Sequence, residues 1–147
     1  MTVLIAESAP GAELPDVDRR LLRSRAVRVL RELERSDTEL SIALVDDATI
    51  AELNQKYRSK AGPTDVLSFS QLEGEHVELA GNLLGDVVIS LETAARQARS
   101  AHRGLDSEVA QLLVHGILHL IGHDHEHDDD ALAMQQLERR LRRAVDA

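Results

Sequence analysis

Apolar and polar positions along the chain switch between strand-like runs and helical stripes, and the switches predict the elements. The opening TVLIAE suits a short strand, and a Pro/Gly turn separates it from a helix over about Asp16 to Glu34. In that helix Val17, Leu21, Leu22, Val29, Leu30 and Leu33 form most of one stripe, and the other face is rich in arginine. Glu39 to Val45 is a second strand-length run. After it, Asp46 or Asp47 can cap a helix that carries Ile50, Leu53 and Tyr57 at i, i+3 and i+7. Pro63-Thr64 turns the chain, and Val66 to Phe69 and Leu83 to Ser90 read as two strands, the latter built on Val87-Val88-Ile89. Gln71 to Asn82 is the polar connection between them. From Leu91 the pattern is helical: one helix to about His102, one from about Asp106 to Ile121, and one from about Asp129 to Val145, punctuated by Gly104 and Gly122. This order predicts an α+β fold in which a small mixed four-stranded sheet is covered by about five helices, in one domain over residues 1–147.

Composition narrows the function. With 147 residues and 43% hydrophobic content, the chain can bury a core of its own. It has no cysteine, which excludes disulfides and thiolate metal sites, so any metal must be held by His and carboxylate. Val3 to Ala6 is too short for a signal h-region, and no segment reaches the ~20 apolar residues of a membrane span, so the expectation is a cytoplasmic protein with no membrane partner. The net charge of −9 argues against a broad phosphate-binding surface, and DNA is not expected among the partners. The charge is uneven, however: seven basic residues lie between Arg19 and Arg35 and four between Arg139 and Arg143. They read first as a solvated helix face and second as a surface turned toward RNA or the ribosome. Tyr57 and Phe69 are the only aromatic residues, too few for a platform that stacks several bases.

Five of the seven histidines fall between His115 and His127. On a helix, i and i+4 project from one face, so His115 and His119 can hold one ion from adjacent turns. Gly122 lets the helix stop and the chain turn, which brings His125 round as a third nitrogen. Three neutral imidazoles leave a fourth position for water, as in catalytic zinc sites. Asp124 suits either a role orienting a ligating imidazole or a helix cap, and His123 and His127 are not expected to be primary ligands. The spacing matches the metzincin pattern H-E-x-x-H-x-x-G-x-x-H, except that Gly116 stands where that pattern has its general-base Glu.

The run His115-Gly116-Ile117-Leu118-His119-Leu120-Ile121-Gly122-His123-Asp124-His125 resembles the signature of the bacterial YbeY-type endoribonucleases, which act in ribosomal RNA maturation and have a zincin-like metal site on a helix near the C-terminus. Three further blocks carry the resemblance: Leu53-Asn54 through Tyr57-Arg58, Pro63 through Phe69, and Leu84 through Ser90. Carried over by position, it implies that His115, His119 and His125 bind one Zn2+, that His115 also counts among the catalytic residues, and that Arg58 is an active-site cation with Lys60 as a helper. Ser70 and His123 depart from the residues most usual there. Thr64, Asp65, Ser68 and Asp86 receive no chemistry at this level.

The resulting expectation is a zinc-dependent, single-strand-specific endoribonuclease in maturation of the 16S rRNA 3′ end, ribosome biogenesis and quality control. Its partners would be precursor ribosomal RNA and the small ribosomal subunit or its proteins. The alternatives are a non-catalytic assembly factor stabilised by metal, and a zincin-type peptidase.

Overall fold

The computed structural model describes residues 2–8, 13–70, 83–122 and 128–146. In chain order they form β1 (Thr2–Ser8), α1 (Arg19–Glu32), β2 (Glu39–Val45), α2 (Asp47–Arg58), β3 (Val66–Ser70), β4 (Leu83–Ser90), α3 (Leu91–Ser100), α4 (Leu105–Leu120) and α5 (Asp128–Asp146). The α+β architecture is the expected one, and the differences lie at element ends. α1 begins at Arg19 rather than near Asp16, because the Asp18 carboxylate accepts from Leu21 N at 3.0 Å and starts the helix there. Asp46, not Asp47, caps α2, accepting from Thr49 N at 2.9 Å.

The strands form one mixed sheet of order β1-β2-β4-β3, in which β1, β2 and β4 run parallel and β3 is antiparallel to β4 at the edge. Side chains alternate between the two faces. Leu40, Ile42, Leu44, Val87 and Ile89 join the larger core with α1, α3, α4 and α5, whereas Val45, Leu67 and Val88 pack with Ile50 of α2. Cover on both faces explains why β2 reads as a nearly continuous apolar run. In β3 the same alternation puts Leu67 and Phe69 on the α2 side, leaving Ser68 to face α4.

Asp47 ties the start of α2 to the β4–α3 junction. Its Oδ1 accepts from Ser90 Oγ and from Thr93 Oγ1, each at 2.6 Å, and its Oδ2 meets Arg96 Nη2 at 2.9 Å. Burial pushes the carboxyl up, but the hydrogen bonds from Ser90, Thr93 and Arg96, with the Arg96 charge, outweigh it and hold the pKa below its ordinary 3.8. The folded state thus favours the ionised form. The stabilisation is complete above the ordinary value and is lost as pH falls through the lowered one. Asp47→Ala is expected to cost about 2 kcal/mol at neutral pH, as read by urea unfolding, with the gap to wild type closing below about pH 4.

The arginines of α1 have a structural use. Arg25 donates from Nε to Val145 O at 3.0 Å and Arg28 from Nη1 to Ala144 O at 2.7 Å, satisfying carbonyls at the end of α5. Arg23 donates to Val3 O at 3.3 Å, and Arg19 pairs with Glu7. Much of the basic face therefore pins α1 to its neighbours.

Candidate active site

α4 is buried on nearly every side, through Val109, Ala110, Leu112, Leu113, Val114, Gly116, Ile117, Leu118 and Leu120. His115 and His119 form the polar interruption on this apolar helix, His115 half-buried and His119 exposed. Their Nε2 atoms lie 3.0 Å apart, with ring centroids at 4.5 Å. Two imidazole nitrogens this close either share one proton or aim both lone pairs at one cation, so the pair fits a metal ion as two of its ligands. Behind His115, Glu138 of α5 presents Oε1 at 3.7 Å from Nδ1, and Arg142 Nη2 holds the same oxygen at 2.8 Å. At that distance the carboxylate makes no direct hydrogen bond to His115, but its negative charge beside the ring favours a cation held at Nε2. Glu138→Gln is accordingly expected to weaken zinc binding about 10–100-fold, measured by competition with a chelating dye.

Arg58 reaches the same place from the last turn of α2. Its Nη2 donates to Ser68 O at 2.6 Å, and its guanidinium lies 4.7 Å from the Phe69 ring centroid. Ser68 in turn donates from Oγ to Gly116 O at 2.8 Å. One residue of the edge strand thus fixes both the arginine and the histidine helix. Ser59, at φ +56°, ends α2, and Lys60 N donates to Asn54 O at 3.3 Å while Asn54 Nδ2 donates to Gly62 O at 3.0 Å. These bonds hold the turn that carries Lys60. The elements enclose a cleft of about 450 Å³ lined by Asn54, Arg58, Lys60, Thr64, Ser68, Ser70, His115 and His119, among others.

Gly116 has a steric cause. A Cβ there would lie 2.7 Å from Val87 Cγ1 and 3.2 Å from Ser68 Oγ, so α4 rests on the sheet where a side chain would have to be. Any larger side chain at this position would require Val87, Ser68 or the helix to shift. The metzincin base is therefore absent for a packing reason. The last turn of α4 closes with Gly122 N donating to His119 O at 3.1 Å, and Gly122 takes φ +87°, open to glycine at little cost, where the chain leaves the helix as expected.

Four of the sequence-predicted residues, Arg58, Lys60, His115 and His119, line one cleft. His125, like His123, Asp124 and His127, lies outside the described residues. Among the described residues no group of three His or carboxylate side chains is arranged to hold a metal, so the described part of the site is the His115–His119 pair. Asp65 is structural: it accepts from Val66 N at 2.7 Å and from Gln97 Nε2 at 3.2 Å. Asp86, opposite Phe69 in the sheet, lies outside the cleft lining. Sequence reasoning did not single out Glu138 and Arg142, because the packing of α5 on α4 is what makes them neighbours of His115. It left Ser68 without a role, although strand alternation already set it on the face opposite Leu67 and Phe69.

The chain matches known proteins along most of its length. An Endoribonuclease YbeY of Anaeromyxobacter dehalogenans is 53% identical over 135 residues, covering 90% of this chain and 68% of the relative. One from Syntrophotalea carbinolica is 47% identical over 122 residues, 82% of this chain and 81% of that one. In three dimensions, a Thermotoga maritima protein solved in solution superposes with a TM-score of 0.64 at 24% identity, over 98% of this chain and 89% of its own, which shows a shared fold. The family described as Endoribonuclease YbeY matches residues 12–146, and with nearly the whole sequence, including His115, His119 and Arg58, inside that match, the chain belongs to the YbeY endoribonuclease family.

Proposed function

We propose that this chain is a zinc-dependent endoribonuclease specific for single-stranded RNA, acting in the cytoplasm on the 3′ end of precursor 16S rRNA, in ribosome biogenesis and quality control at the small subunit. The observation that carries the reading is the convergence of the His115 and His119 Nε2 atoms, 3.0 Å apart, in the cleft that also holds Arg58. In this reading His115, His119 and His125 hold one Zn2+, with α4 in the role of a zincin-like metal helix. A zinc ion held there supplies Lewis acidity, drawing charge from a phosphate oxygen and making water more acidic.

The chain's own residues do the rest. Arg58 carries a permanent charge on a planar donor fork, suited to a phosphodiester and to the charge that grows on its oxygens in the transition state. Its bond to Ser68 O fixes where that charge sits. Lys60, held by the turn after α2, adds a second cation to the lining and draws the RNA backbone into an otherwise acidic protein. Glu138 adds a negative charge 3.7 Å from His115 Nδ1, behind the metal-facing nitrogen. The peptidase alternative lacks its base at Gly116.

The test is cleavage of a single-stranded RNA that spans the 16S 3′ end, beside the same RNA annealed to its complement. Zinc-loaded protein should cut the single strand only, lose this on chelation, and regain it when zinc is returned. Tight zinc binding with no cleavage, with or without small subunits, would support the assembly-factor alternative instead.

A further inference from the structure

Sequence composition excludes a platform for several bases, but the fold brings the chain's one tyrosine and one phenylalanine together next to Arg58, a residue of the cleft lining. Tyr57 and Phe69 meet edge to face at a centroid separation of 5.4 Å. Phe69 is half-buried against the α2-side core, whereas Tyr57 is 52% exposed. Phe69 therefore acts as a footing and Tyr57 as a ring presented to solvent. The same cluster carries cations. The Arg58 guanidinium lies 4.7 Å from the Phe69 centroid, and Lys56 Nζ lies 5.2 Å from that of Tyr57. Arg58, the next residue after Tyr57, lines the cleft with His115 and His119.

From this juxtaposition we infer that Tyr57, braced by Phe69 beside Arg58, is a stacking site for one unpaired nucleobase of the RNA strand whose phosphate Arg58 receives. The inference rests on the ribonuclease reading and deepens it. Any base has a π face, so the site tolerates sequence, but a base inside a duplex has its faces covered by its neighbours. One exposed ring next to the phosphate-binding arginine thus selects single strands without reading sequence. An exposed cation–π contact is weaker than base stacking, so an arriving base displaces Lys56 from the ring and releases its ammonium toward the adjacent phosphate.

The experiment uses zinc-loaded full-length protein and a short single-stranded RNA of defined cleavage position, with either 2-aminopurine or an abasic residue beside the scissile phosphate. Tyr57→Ala should raise KM about 5–100-fold with kcat changed by less than about threefold, and Tyr57→Phe should restore the wild-type KM. 2-Aminopurine fluorescence should be quenched on binding to wild type and Tyr57→Phe, and not to Tyr57→Ala. The abasic residue should cost wild type the same factor as Tyr57→Ala and add nothing to that variant's loss. The abasic comparison in wild type needs no variant to fold. Cleavage by wild type with an unchanged KM in Tyr57→Ala, or an abasic penalty equal in both proteins, overturns the stacking site alone. A wild type that neither binds nor cuts the RNA overturns the ribonuclease reading, and the stacking site with it.

Discussion

His119→Ala is expected to leave the protein without bound zinc at micromolar metal and to lower RNA cleavage by about 10³-fold or more, since a site deprived of a ligand loses both its ion and the chemistry the ion supplies. The substitution is clean in structural terms. His119 is exposed on the cleft side of α4, so shortening it opens no cavity in the core, and alanine is the better helix former. Circular dichroism should therefore show an intact helical fold. His102→Ala provides the control: that residue is exposed after α3 at φ +55°, outside the cleft lining, and its loss should change neither metal content nor cleavage. Retention of one zinc per chain in His119→Ala would remove the residue from the ligand set.

Arg58→Ala should separate the two halves of the site. Cleavage is expected to fall about 10²–10³-fold, the range for losing a charged donor aimed at transition-state charge, while zinc stays at the wild-type ratio. The reason is geometric: Arg58 stands on α2 and is fixed to β3 through Ser68 O, whereas the histidine pair stands on α4, with Glu138 of α5 3.7 Å from His115 Nδ1. Arg58→Lys should recover little, because an ammonium lacks the planar fork. The guanidinium also covers Phe69, so a stability loss of about 1 kcal/mol is expected in Arg58→Ala and should be checked by urea unfolding. Zinc and cleavage lost in equal measure would make Arg58 a structural residue.

Much of this was legible because local rules and tertiary packing agree. The apolar, β-branched runs in Glu39 to Val45 and in Val87-Val88-Ile89 favour strands wherever those residues are set, and the i, i+4 spacing of His115 and His119 puts two imidazoles on one helix face before any packing is known. Gly122 marks the exit from α4 for a backbone reason, and the structure finds it at φ +87°. What stayed hidden depends on which elements touch. Gly116 is seen in the sequence only as a missing glutamate; that the helix presses on Val87 and Ser68 requires the sheet to be in place. Glu138 is one of many acidic residues until α5 lies along α4. Among the arginines of α1, those that cap α5 carbonyls are indistinguishable by composition from those that face water.

In the proposed reading one zinc ion, held in part by His115 and His119 beside Arg58, makes this chain cut single-stranded RNA. The most direct test of that reading is a titration of Zn2+ into metal-free protein in which bound metal and cleavage of the 16S 3′-end RNA are read in the same samples. Both are expected to rise together and saturate at one zinc per chain, and neither to rise in His119→Ala. Saturation of metal with no cleavage, or full cleavage before any metal is bound, would contradict it.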